Sequence, residues 1–263
     1  MAARLDIAEK EGRETAPGAP GRDRFRRFEF KYRLPPGLAH LVRAVVATHL
    51  PHDAHCDPAP DHHYDICSLY LDSADLRLCR ESLTGQKNRF KLRIRGYDDS
   101  PDSPVYLEIK RRLNMAIMKD RCGVPRRGLQ TFSSPGAEFG GTPSADQFRL
   151  YCAYLAARPQ TLVRYRREAF ESAGPSRVRV TFDRDLCCRP MRDWSVRLGG
   201  RGWREVLPGA VVLEIKYSDR YPTWLQELVR RFQLQARSVS KYTLSLNSGL
   251  PAARGFLVQR MKA

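Results

Sequence analysis

Phe90-Lys91-Leu92-Arg93-Ile94-Arg95 alternates apolar and cationic side chains with period two, the pattern of a strand whose side chains point to opposite faces. Lys91, Arg93 and Arg95 share one face; Phe90, Leu92 and Ile94 share the other. Val105-Tyr106-Leu107-Glu108-Ile109-Lys110 repeats the alternation, with Glu108 and Lys110 opposite Leu107 and Ile109. Leu213-Glu214-Ile215-Lys216 and Phe28-Glu29-Phe30-Lys31-Tyr32 do so again. One such strand reads as an ordinary solvated sheet face. Cationic rows on several strands, with glutamates interspersed, point instead to a polar face that holds a polyanion and its metal ion.

That reading agrees with the net charge of +17, which predicts attraction to nucleic acid, anionic membranes or phosphate compounds. The 263 residues are 42% hydrophobic, enough for a real core, and no apolar run approaches the roughly 18 residues that span a bilayer. The seven cysteines form no CxxC pair, so the expectation is a cytoplasmic protein with reduced thiols. All six histidines lie between His40 and His63. His49, His52 and His55 with Cys56 could form a metal cluster, but Pro51, Pro58 and Pro60 break any helix that would align them. A polar linker is the expectation there.

Residues 1–23 are charged and rich in Gly, Ala and Pro, and read as a disordered arm. A strand over 25–34 carries Arg27, Glu29, Lys31 and Arg33 on one face, and Pro35-Pro36 ends it and opens a helix over 37–50. A strand over 64–71 ends in Asp72-Ser73-Ala74-Asp75, which caps a short helical turn through Leu83. Strands over 89–97 and 105–112 form a hairpin, and a strand over 115–124 places Lys119 and Arg121 on one face. A loop over 125–143 precedes a helix over 144–157. Strands follow over 162–170 and 177–182, the latter with Arg179, Thr181 and Asp183 opposite Val178, Val180 and Phe182. An irregular hairpin over 184–209, a strand over 211–217 and a helix over 222–232 lead to a last helical segment with Ser240-Lys241-Tyr242. Charged faces on about eight strands cannot all point into an apolar core. The predicted architecture is α+β: an antiparallel eight-stranded β tunnel with a charged interior, its apolar faces outward under flanking helices.

The run of Arg27-x-Glu29-x-Lys31-Tyr32, Ser68-Leu69-Tyr70-Leu71-Asp72, Lys91-Leu92-Arg93-Ile94-Arg95, Leu107-Glu108-Ile109-Lys110, Leu213-Glu214-Ile215-Lys216 and Ser240-Lys241-Tyr242 closely resembles the VTC domain. This is the polyphosphate polymerase domain of the vacuolar transporter chaperone family, within the triphosphate tunnel metalloenzymes. The resemblance covers residues 24–247 and leaves 248–263 as a tail. It implies a metal-dependent phosphotransferase that moves the γ-phosphate of ATP onto inorganic polyphosphate, with Mn²⁺ or Mg²⁺ as cofactor. Carried over by position, Lys31, Arg93, Arg95, Lys110 and Lys241 become catalytic and Lys119, Arg167, Arg179 and Lys216 phosphate-binding. Glu214, with Glu29 and Glu108, would hold the metal. Two positions depart from the family pattern. Arg27 stands where the superfamily often has its first glutamate, and Ser238 where the eukaryotic polymerases carry a second lysine.

The chemistry fits independently, because phosphoryl transfer needs positioning and charge cancellation more than covalent help. A terminal phosphate acceptor is already ionised and needs no general base. ATP and polyphosphate are the expected partners, and the sequence leaves open a separate membrane protein. Two rival readings are a triphosphate hydrolase using the same tunnel and a non-catalytic polyphosphate binder. A nucleic-acid partner is not expected, since the aromatic residues fall mostly on the apolar faces and not among the cations.

Overall fold

A computed structural model describes residues 27–56, 59–114, 116–131, 142–173, 177–218 and 220–249. The expected arm at 1–23 and the tail beyond 249 lie outside the described residues, as does most of the expected loop at 125–143.

Every alternating stretch forms a strand. β1 is Arg27–Leu34, β2 Tyr64–Asp72, β3 Asn88–Gly96, β4 Val105–Leu113 and β5 Ala116–Val124. β6 is Arg158–Glu171, β7 Val178–Pro190, β8 the short Arg204–Glu205 and β9 Val211–Ser218. They form one sheet in the order β1-β9-β7-β6-β2-β3-β4-β5, with β8 on β7. Every pairing is antiparallel. β6 and β7 run longer than their sequence patterns because a register shift between Arg164 and Arg166 lets the pairing continue past a bulge.

The hydrogen-bonded ladder does not close. β1 and β5 are its two edges among the described residues, which corrects the expectation of a fully closed tunnel. The sheet nevertheless curls far enough that Lys110 on β4 reaches Glu29 on β1 at 3.0 Å, although these strands lie near opposite ends of the order. Side chains thus bridge the concave face where the backbone ladder leaves it open.

The apolar faces turn outward, as the alternation predicts. Helix α1, Pro36–His49, starts on a proline already shaped for a first helical turn, and buries Ala39, Val42 and Val46. With Leu225 and Leu228 of α4, Thr223–Arg231, these cover Tyr32, Phe182, Leu213 and Ile215. On the other flank, Leu78 of α2, Arg77–Leu83, and Phe148 of α3, Pro143–Leu155, cover Leu69, Leu92, Ile94 and Leu107. The Thr142 side chain caps α3 by accepting from the Ala145 N–H.

The last helix departs from the expected arrangement. α5, Lys241–Gly249, does not flank the sheet but packs on its concave side. There Tyr242 and Leu246 are buried with Ile66, Tyr70, Val163, Tyr165, Leu186 and Cys188. Tyr242 stacks on Tyr70 at 4.9 Å and donates its hydroxyl to Asp72 at 2.6 Å. One end of the concave face is thus apolar and filled by α5, so cations do not line its whole length.

Candidate active site

Period two carries the charges of β1, β3, β4, β5, β7 and β9 onto the concave face, where they fall into three groups. The first surrounds Glu108, which is fully buried. Arg93 is its register partner and donates Nε to the carboxylate. Lys119 lies 3.3 Å away, Arg121 3.7 Å and Arg95 3.9 Å. Burial alone would raise the Glu108 pKa, but Arg93, Arg95, Lys119 and Arg121 outweigh it and hold the carboxyl well below its ordinary range.

The second group joins β1, β4 and β9. Lys31 sits 2.9 Å from Glu29 and 3.8 Å from Glu214, Lys110 binds Glu29, and Lys216 lies 2.8 Å from Glu214. Burial and the neighbouring Glu214 both push the Glu29 carboxyl up, yet Lys110, Lys31 and Lys216 hold it at about 2. The third group is at the foot of α5. Arg167 grips Asp183 with two parallel bonds of 2.7 and 2.9 Å, and Lys241 binds the same carboxylate. Burial opposes ionisation of Asp183, but Arg167 and Lys241 lower its pKa to about 2.

Lys31, Lys110, Lys216, Glu29 and Glu214 therefore meet, as do Arg93, Arg95, Lys119 and Glu108, while Arg167 and Lys241 share Asp183. Arg179 stands apart at the rim, tied to Asp53 at 2.6 Å and Glu171 at 2.8 Å. Among the described residues Glu108 shares no ion-pair partner with Glu29 or Glu214. As donors for a hard divalent ion, Glu29 and Glu214 fit by their chemistry, being neighbouring ionised carboxylates that share Lys31. Glu108, wrapped by guanidinium and ammonium groups, does not. The histidines have other partners: His49 stacks on Trp224, His52 binds Glu168 and stacks on His62 at 4.2 Å, and His55 packs by Tyr64 and Tyr97. Among the described residues no group of three or more His, Cys, Asp or Glu could hold a metal ion.

Four further side chains of the concave face lie outside the carried-over set: Lys91, Arg121, Asp183 and Tyr70, whose hydroxyl lies 3.4 Å from Arg93. The first three are visible in the alternation, since Lys91 shares a face with Arg93, Arg121 with Lys119, and Asp183 with Arg179. Lys91 is the most informative. It donates to Ser240 Oγ at 2.9 Å, and burial together with Lys31 and Lys110 lowers its pKa to about 7. Burial likewise lowers Lys119 to about 8 despite Glu108.

A bound polyanion would restore both lysines to the charged state, so triphosphate binding at pH 8 should take up protons. Affinity should fall as pH rises through 7–8, the window in which the free lysines lose their charge. Calorimetric heats in buffers of different ionisation enthalpy measure that uptake. Lys91→Arg should remove most of it, and an uptake unchanged in that variant would exclude Lys91.

A curled antiparallel sheet whose concave face mixes cations with carboxylates is the architecture of the triphosphate tunnel proteins. The family described as the VTC domain matches residues 26–249, and the chain belongs to that family. Among solved structures the chain is similar to a candidate adenylate cyclase from Bacillus halodurans, with 11% identity, 81% of this chain and 92% of that one covered, and a TM-score of 0.46. It is also similar to a candidate adenylyl cyclase from Hippeastrum described as having a dominant triphosphatase activity, with 13% identity, 86% and 97% covered, and a TM-score of 0.47. A third, from Vibrio parahaemolyticus, has 13% identity, 85% and 98% covered, and a TM-score of 0.42. No curated protein matches the chain. Among the described residues no helix is long and apolar enough to cross a membrane.

Proposed function

We propose that the concave face binds the triphosphate of ATP and transfers its terminal phosphoryl group onto an inorganic polyphosphate chain, releasing ADP. The observation that carries this reading is the continuity of the cations. Lys119 is repelled by Arg95 and Arg93, Lys91 by Arg93, Lys110 and Lys31, and Lys110 by Lys31 and Lys216. Cations spread from β5 to β9 reach further than one phosphate needs, an extent that would suit a linear polyanion. Arg93 and Arg95 grip equatorial oxygens through their planar forks, and Lys31 and Lys110 add point charges. Membership in the VTC domain family supports the same reading.

Glu214 and Glu29 would hold Mn²⁺ or Mg²⁺, which supplies further charge cancellation on the transferring group. Glu214→Gln is therefore expected to keep the fold and most of the nucleotide affinity while losing turnover. Unchanged turnover would remove Glu214 from the reaction.

A second reading, hydrolysis of a triphosphate with water as acceptor, is favoured by α5, which fills one end of the concave face. Incubation with ATP, Mn²⁺ and a short polyphosphate primer, resolved by gel and ³¹P NMR, separates the two. Chains longer than the primer support the polymerase; ADP and orthophosphate alone support the hydrolase. Tight polyphosphate binding without ATP turnover indicates a binding module.

A further inference from the structure

On the concave face, where Tyr64 and Tyr97 pack against the apolar cluster that holds Tyr242 and Leu246, four aromatic rings stand among the cations. Tyr64 begins β2, Tyr97 follows β3, Tyr106 opens β4, and His55 comes from the segment before β2. Their placement departs from the expectation that aromatic residues avoid the charged face. The His55 and Tyr97 rings are parallel within 9° with centroids 6.3 Å apart. Tyr64 is tilted against both, at 5.5 Å from His55 and 6.3 Å from Tyr97, and Tyr106 meets Tyr97 edge-on at 5.8 Å. His55, Tyr64 and Tyr97 are only partly buried, whereas Tyr106 lies deeper.

The ring cluster adjoins the phosphate-facing cations. Arg121, which also faces Glu108, lies 3.8 Å over Tyr106 and donates to the Tyr97 hydroxyl at 3.0 Å. Arg179 donates to the Tyr64 hydroxyl at 3.3 Å. A flat heterocycle stacks on such faces whatever its edge pattern, and each step of a stack occupies about 3.4 Å.

We propose that His55, Tyr64 and Tyr97 form a nucleobase platform at the mouth of the cavity, which orients a nucleoside triphosphate base outward and phosphates toward Arg95 and Arg93. This inference rests on the proposed triphosphate reading of the cavity and adds a preference for nucleotides over base-free polyphosphates. Purine bases, with the larger face, bind better than pyrimidines.

The test compares two probes on the full chain by calorimetry: the non-transferable β,γ-imido analogue of ATP, and inorganic tripolyphosphate. Tyr97→Leu and His55→Ala should each weaken the analogue about tenfold, the scale of one lost base–aromatic stack, and leave tripolyphosphate within about twofold. Tyr97→Phe, which keeps the ring, should retain most of the analogue's affinity. Equal weakening of both probes in Tyr97→Leu would mean that the ring only supports Arg121, and would overturn the platform. Undiminished analogue binding in Tyr97→Leu and His55→Ala would overturn it as well. A wild-type chain that binds neither probe would sink the triphosphate reading and the platform together, whereas tripolyphosphate binding without any advantage for the analogue would sink the platform alone.

Discussion

Arg95→Ala is expected to lower kcat for ATP-dependent phosphoryl transfer by a factor of about 10² or more, the scale for losing one preorganised charge partner of the transition state. Arg95 is 6% exposed, with Nε near Ser68 Oγ at 3.4 Å and the guanidinium 3.9 Å from Glu108. Burial would weaken its charge, but Glu108 overrides burial and keeps Arg95 protonated far above any working pH. The group is thus fixed and charged before substrate arrives, so little reorganisation accompanies the reaction. Arg95→Lys should recover only part of the loss, because an ammonium replaces the two-pronged fork with a point charge. ADP release with saturating ATP and Mn²⁺ measures the effect, and a kcat within threefold of wild type in Arg95→Ala would exclude a catalytic role.

Glu108→Gln should destabilise the ligand-free fold by about 3 kcal/mol, the lower end for removing one partner from a buried charge pair. The lower end applies because Lys119, at 35% side-chain exposure, keeps much of its hydration. Arg93, Arg95 and Arg121 are far less exposed and would be left facing one another without their common counter-charge. A polyanion can take over that role. Free tripolyphosphate at about 100 times its Kd contributes about 2.7 kcal/mol to any chain that binds it, and the variant should gain more than the wild type because its cations are less satisfied. Urea denaturation with and without tripolyphosphate reads both quantities. An equal stabilisation of the two chains would show that Glu108 and the ligand do not share those cations.

Much of this site is legible in period two alone. Alternation places Lys31, Arg93, Lys110 and Glu214 on one face of their strands and Phe30, Ile94, Ile109 and Ile215 on the other, and the apolar set packs into the outer cores as that division predicts. Strand order is not legible, because antiparallel pairing through short turns and through long crossings leaves the same local pattern. The separation of Glu108 from Glu29 and Glu214 is lost with it, since it depends on which strands curl toward each other. α5 is misleading for a different reason. Tyr242 and Leu246 are apolar in the way of any core-facing helix, and nothing local says which side of the sheet they bury against. The aromatic mouth was within reach: Tyr97 continues the Lys91, Arg93, Arg95 face by one more step, and Tyr106 precedes Glu108 by one.

The open seam makes β1 and β5 edge strands, a template on which another chain could add a strand, although the Lys31 carbonyl on β1 already accepts from the Arg237 N–H at 2.8 Å. The inward Glu29 and Lys31 on one edge, with Lys119 and Arg121 on the other, make such an addition unfavourable, since a docking strand would have to bury their charges. The same charged residues would thus disfavour edge-to-edge association. Alanine or leucine in place of several of them at once should produce aggregates before it produces a clean inactive enzyme. Light scattering therefore belongs beside every activity measurement on this cavity.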